Sequence, residues 1–469
     1  MVIICVSGGM WLSVLNVSIA NIALPEIGEE FNADVASVGW IVTGFLVAQA
    51  TLLSIAGRAG DLYGRRRIFV VGVVVLSLAS LGSAAAQSLP QLIVARVLMG
   101  AGASAMAPTA FAYAAELFPT AERGRALGFM SGILGLAPVT ALTVGGVLVD
   151  AAGWRSVFLF TPVLAAVVLA AAAVILHESR PPDADRRFDL PGAALAATGL
   201  FALLVALSRG EAWGWTSAAT LGLAAVGAAL LGAFVVRELH TEAPIVDLGF
   251  FRLRTFTAAN AAGTLSSAAL FGTLLLLPFY LTIAVGMTPV ELGLAITPIA
   301  ASFMIVGPIA GRAMERVGSN RLALAGFVVA AAGVSWVAAV APEARYELVL
   351  LGIVGLGVGL AMSSSAVTVT AIEGVPRARL GVVSALTNVG RYTGGALGAA
   401  VLGAILASSL PIEPGAAAAA DAADGFRVAM VVAGVFLLGA AIAAAWMPRV
   451  VGPTAPASPG MPLTPPLSR

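Results

Sequence analysis

Long apolar runs follow one another along nearly the whole of this chain, and they decide what it can fold into. They lie at about 2–24, 38–57, 68–87, 91–115, 126–149, 156–176, 191–208, 218–236, 256–280, 291–311, 321–341, 348–371, 380–406 and 428–447. A helix needs about 20 apolar residues to cross the hydrocarbon of a bilayer. Inside hydrocarbon the backbone has no water to bond, so segments of this length span as helices. Composition agrees: 59% of residues are hydrophobic and 10% are charged, where a soluble domain carries roughly 25% charge. The expectation is an all-α polytopic membrane protein with about fourteen transmembrane helices. The first run has no basic residue before it and ends at Leu24-Pro25 without a small-residue cleavage site. It reads as a retained helix, not a signal peptide.

The second constraint is an internal repeat. GRAGDLYGRRR at 57–67 returns as GRAMERVGSNR at 311–321 without a gap. Gly57 answers to Gly311, Arg58 to Arg312, Ala59 to Ala313, Asp61 to Glu315, Gly64 to Gly318 and Arg67 to Arg321. Two charged knots in one register, each closing an apolar run, mark a duplicated membrane protein. The turns PTAERGR (119–125) and VPRAR (375–379) are alike in matching places. The spacing between the knots exceeds what six spans need, so two helices are inserted mid-chain. The expected domains are a six-helix bundle at 1–177, two inserted helices with their loops at 178–255, and a second six-helix bundle at 256–447. The tail at 448–469, rich in Pro, Ser and Thr, cannot bury a core and is expected to be disordered and cytoplasmic.

Charge sets orientation. All 25 basic residues are arginine, and with the N-terminus inside, 19 of them fall on the cytoplasmic side. The positive-inside rule then puts both termini in the cytoplasm. A net charge of +1 gives no reason to expect nucleic-acid binding. Cys5 is the only cysteine, so neither an intramolecular disulfide nor a cysteine metal cluster is possible. His177 and His240 fall in loops and read as solvated. There is no GxxxxGK[ST] loop for ATP, no catalytic constellation in the spans, and no cofactor is implied.

Several motifs resemble the major facilitator superfamily, and among its members the fourteen-helix drug:proton antiporters. Gly57, Asp61, Gly64, Arg65 and Arg66 resemble the loop between its second and third helices, which in the family latches two bundles on the cytoplasmic side. LNVSIANIALP (15–25) is similar to the signature ending the first span, with Asn16 in place of the usual aspartate and Asn21 retained. LIVARVLMGAGASA (92–105) resembles the motif whose buried arginine, here Arg96, serves proton relay or substrate contact. The matching stretch of the second half, GIVGLGVGLAM (352–362), has Ile353 in the arginine place. GLAPVTALTVGGVLVDAAGWR (135–155) resembles the helix-five motif through Pro138, Gly145 and Gly146, although Ala141-Leu142 replaces its central Gly-Pro. RRFDLPGA (186–193) resembles the entry to the first inserted helix, PFYLT (278–282) the end of a span, and SALTNVGRYTGGALGAA (384–400) the penultimate core helix.

The resemblance implies proton-linked export of small lipophilic compounds, including drugs, by rocking of two bundles in the plasma membrane. Its partners would be the substrate, protons and the lipid bilayer. Expected transport or coupling residues are Arg96, Asn16, Asn21, Asn388 and Arg391. Asn16 and Asn21 also fit plain interhelical hydrogen bonding, and Arg391 fits either the cavity or a backbone and headgroup anchor. Alternatives are an exporter of one endogenous metabolite, an uncoupled facilitator, or a non-transporting membrane sensor.

Overall fold

The computed structural model describes residues 1–117, 120–179, 189–241, 248–373, 380–409 and 416–448. The tail after 448, the turn at 375–379, Arg186 and Arg187 lie outside them. The first half runs α1 (Val2–Glu30), α2 (Val35–Tyr63), α3 (Arg65–Ala84), α4 (Leu89–Ala103), α5 (Met106–Leu117), α6 (Thr120–Ala152) and α7 (Arg155–Ile175). Then come α8 (Leu190–Trp213) and α9 (Ala218–His240). The second half is α10 (Arg254–Ile283), α11 (Pro289–Val317), α12 (Ser319–Val340), α13 (Tyr346–Ile372), α14 (Leu380–Ser409) and α15 (Ala416–Trp446). Thirteen stretches among the described residues are long and apolar enough to cross a membrane. The 33-residue α6 enters that reading only through its short apolar part, Thr140–Ala152.

Polar residues at the run ends stop and start these helices. Asp34 accepts from the Ser37 N–H at 2.5 Å to cap α2, and Ser217 accepts from Thr220 at 3.2 Å to cap α9. Thr288 and Glu291 form a capping box on α11, satisfying two otherwise orphaned N–H groups. The expected single run at 91–115 is instead two helices. It breaks after Ala103, where the Ser104 hydroxyl donates to the Ala101 carbonyl at 2.7 Å, a local bond that competes with the helical ladder.

The repeat seen in sequence is a repeat in space. α2 and α11 each hold 29 residues. Each ends on a glycine with positive φ, Gly64 at 110° and Gly318 at 91°, from which the next helix departs at once. A side chain would strain that backbone. Packing partners repeat as well. α1 lies on α6 and α7, α3 on α4 and α7, and α2 on α4. In the second half α10 lies on α14 and α15, α12 on α13 and α15, and α11 on α13. Two seams join the halves, α2 with α14 and α11 with α6, and the repeat interchanges them. α8 packs on α9 and lies across the first seam, touching both α2 and α14. Asp189 anchors this hairpin by capping α8 through the Gly192 N–H at 3.0 Å and binding Arg237 of α9 at 2.7 and 2.9 Å.

Candidate transport pathway and motif cluster

Arg96 sits on α4 with no solvent exposure. Its Nε donates to the Ile41 carbonyl at 3.0 Å and its Nη2 to the Asn16 carbonyl at 3.2 Å. Nη1 lies 3.7 Å from the Met99 sulfur, and the guanidinium stacks 4.5 Å from the Phe45 ring centre. Among the described residues no carboxylate pairs with it. The charge an arginine needs compensated in a membrane is met here by carbonyl dipoles and an aromatic face. The side chain thereby ties α4 to α1 and α2.

Asn16 joins the same cluster. Its Nδ2 donates to the Leu12 carbonyl at 2.8 Å, and its Oδ1 accepts from the Thr161 hydroxyl of α7 at 2.8 Å. Asn21 donates to Val17 at 3.4 Å, while its buried Oδ1 has no partner among the described residues. Gln49, which the motifs do not single out, gives its Nε2 to Ser13 at 2.8 Å and likewise leaves a buried oxygen free. The buried faces of α1 and α2 therefore carry one orphaned amide oxygen each, polar groups that a passing donor could satisfy. The other two expected residues stand apart on α14, where Asn388 is half-buried and Arg391 exposed.

The gate motif forms one ionic cluster. Gly57 backs onto Pro108 of α5, so that a Cβ there would meet its ring at 3.2 Å. Asp61 pairs with Arg65 at 3.2 Å. Arg65 also reaches Glu116 at 3.0 Å and gives its N–H to the Ser179 carbonyl at 3.1 Å. Arg66 donates from its backbone to Glu178 at 3.2 Å and from its side chain to the Ala173 carbonyl at 2.9 Å. The Ser179 hydroxyl binds Glu116, and Tyr113 donates to the His177 carbonyl at 2.6 Å. His177 is thus not a merely solvated loop residue, since its ring lies 3.6 Å from Glu116. Among the described residues, Asp61 finds its partner inside the first half and not across the seam that the family latch would close. Glu315 of the second knot lies outside the described side chains. Sequence reading missed Glu116, Glu178 and Ser179, although His177-Glu178-Ser179 directly follows the sixth apolar run and offers acceptors to three arginines.

The helix-five motif packs one helix against both halves. Pro138 is half-buried in α6. Gly145 faces Ile19 of α1, and Gly146 faces the Pro289 carbonyl of α11, where a Cβ would come within 2.6 Å. Gly293 answers from α11 by lying on the Leu142 backbone, and Thr143 and Thr297 hydroxyls meet across the seam at 3.4 Å. Further approaches between the halves, Gly28 to Phe279 and Gly39 to Leu275, lie at this same end, opposite the charged knots. At the knot end, among the described residues, Gly307 and Gly311 of α11 have nothing within 4 Å of a would-be Cβ.

Two repeated halves of spanning helices, joined by two equivalent seams, have the architecture of a membrane transporter. The sequence profile of the Major Facilitator Superfamily matches residues 6–399, and the chain belongs to that family. The Tetracenomycin C resistance and export protein of Streptomyces glaucescens is 31% identical over 406 residues, covering 87% of this chain and 76% of the relative. Multidrug resistance protein Stp of Mycobacterium tuberculosis (strain CDC 1551 / Oshkosh) is 35% identical over 413 residues, with the same coverages. Among solved structures, a bacterial homologue of the human lysosomal transporter Spinster superposes with a TM-score of 0.69 at 16% identity, covering 95% of this chain and 97% of that one. The xylose transporter XylE of E. coli, partially occluded and inward open, superposes at 0.64 with 14% identity and coverages of 97% and 98%.

Proposed function

We propose that this protein exports small lipophilic compounds, coupled to proton influx, by alternating access across the plasma membrane. The carrying observation is the uneven closure of the two halves. Glycine-to-backbone contacts seal them at the end opposite the knots, while among the described residues nothing lies within 4 Å of a Cβ built at Gly307 or Gly311 at the knot end. One end shut and the other unsealed is what a rocking transporter holds between substrate steps. Relatives named for antibiotic resistance and export support this cargo class. In this reading residues 1–177 and 256–447 are the moving bundles, with 178–255 the insert. The arginine bias supports an orientation with the knots and both termini in the cytoplasm.

Arg96 and Asn16 hold the first bundle together beside the path, and Asn21 and Gln49 present acceptors to the cargo. Among the described residues Asp34 is occupied as a helix cap, Asp61 in an ion pair, and Asp150 is exposed at a helix end. No described carboxylate neighbours Arg96 to receive a cation, and burying an unpaired charge is costly. Neutral compounds with a hydrogen-bond donor are therefore the preferred cargo. A matched pair of fluorescent compounds, one neutral and one quaternary ammonium, tests this in cells expressing the protein. Faster export of the neutral compound is expected; equal or faster export of the cation contradicts the reading.

A further inference from the structure

α14 changes character along its length. Residues 394–396 are buried, and here the helix packs glycine to backbone on α10, Gly394 on the Thr264 carbonyl and Gly398 on that of Ala268. Over two turns nearer the knots, 387–393, no residue is fully buried. On α2, its partner across the seam, residues 55–59 are likewise only half-buried. The knot end of this seam is a vestibule, in keeping with the unfilled space beside Gly307 and Gly311 among the described residues of the other seam.

Arg391 belongs to this open stretch. It lies inside the span Leu386–Ser409, roughly 8 Å from its end at about 1.5 Å per residue. Its side chain is exposed, and among the described residues it has no hydrogen-bond or ion-pair partner. Arg96 is the contrast, since two carbonyls and the Phe45 ring satisfy it. An unpaired guanidinium between apolar walls concentrates its field in the cleft and draws an anion there. The packing of α14 fixes where Arg391 points. Gly395, one turn further along the same face, would set a Cβ 2.7 Å from the ring of half-buried Phe271 on α10. One turn beyond Phe271, Leu275 reaches Gly39 of α2. The face carrying Arg391, Gly395 and Phe271 is thus turned toward the first half and not toward lipid.

We propose that Arg391 and Phe271 form an acid-binding site in the vestibule, which takes a cargo molecule carrying a carboxylate on an aromatic ring system. The guanidinium holds the carboxylate through two parallel N–H···O bonds, and the Phe271 ring takes the aromatic face. The proposal rests on the export reading and extends its cargo from neutral compounds to aromatic acids, while a permanent cation is repelled. Its test reads binding without a gradient, so the site and export can fail separately.

The full-length protein in phosphatidylcholine nanodiscs is titrated with 2-naphthoate and with its uncharged amide, 2-naphthamide, by calorimetry against empty discs. The carboxylate is expected to bind about tenfold tighter than the amide. Arg391→Gln should bring the carboxylate to the level of the amide and leave the amide unchanged, whereas Arg391→Lys should keep part of the preference. Phe271→Leu should weaken both compounds alike. In the unaltered protein, added salt should weaken the carboxylate and spare the amide. Equal affinities in the unaltered protein, or no measurable binding of 2-naphthoate, would overturn the proposal. So would a preference that survives Arg391→Gln.

Discussion

Arg96 and Asn16 form a unit in which an arginine is buried beside an amide, at the place where the resembled first-span signature has an aspartate. The guanidinium binds the backbone oxygen of Asn16 at 3.2 Å, and the Asn16 side chain is held by Leu12 and Thr161. An aspartate at this position would keep the Thr161 bond, lose the donor to Leu12, and set a carboxylate close to a cation in a low-dielectric interior. Asparagine cannot titrate. Asn16→Asp is therefore expected to change the pH dependence of transport. Transport rates across a pH series for both proteins check it, and superimposable profiles would remove position 16 from the proton path. The residue types of this unit are legible in sequence. Its partners are not, because Ile41, Met99 and Phe45 are ordinary apolar residues that only the fold brings to Arg96.

At the scale of helices, the repeat is true in geometry and unequal in packing. Gly64 and Gly318 end equal helices in the same left-handed turn, and this follows from two aligned glycines in the sequence. Gly57 and Gly311 are aligned just as well, yet Gly57 lies against Pro108 and a Cβ at Gly311 meets nothing within 4 Å among the described residues. Gly57→Ala forces a methyl group to 3.2 Å from a proline ring, the kind of overpacking that costs about 1–3 kcal/mol. Gly311→Ala meets nothing in this state and gains about 0.5–1 kcal/mol of helix propensity. Thermal unfolding of the purified variants should show Gly57→Ala less stable and Gly311→Ala equal or more stable than the parent. Equal destabilisation by both would mean that α11 is as tightly packed at the knot end as α2. The break between α4 and α5 was not legible, because Gly100, Gly102 and Ser104 fit a continuous apolar helix equally well by pattern. Nor was the Arg65–Glu116–Ser179 cluster, whose members lie 51 and 114 positions apart.

For the whole molecule, span number and duplication follow from hydropathy and from the repeated knot, since lipid allows few alternatives to the helix. The seating of α8 across one seam does not follow, because an inserted hairpin has no counterpart in the repeat to copy. The proposed function couples two closures to a gradient, and everted vesicles measure that directly. Their bath meets the face proposed to be cytoplasmic, and their lumen can be acidified. The account predicts that a neutral fluorescent polycyclic compound accumulates in the lumen while the pH gradient stands. Accumulation should collapse within the same trace when a protonophore is added, and be absent from vesicles lacking the protein. Protein-dependent uptake that is indifferent to the protonophore, or no protein-dependent uptake at all, would contradict it.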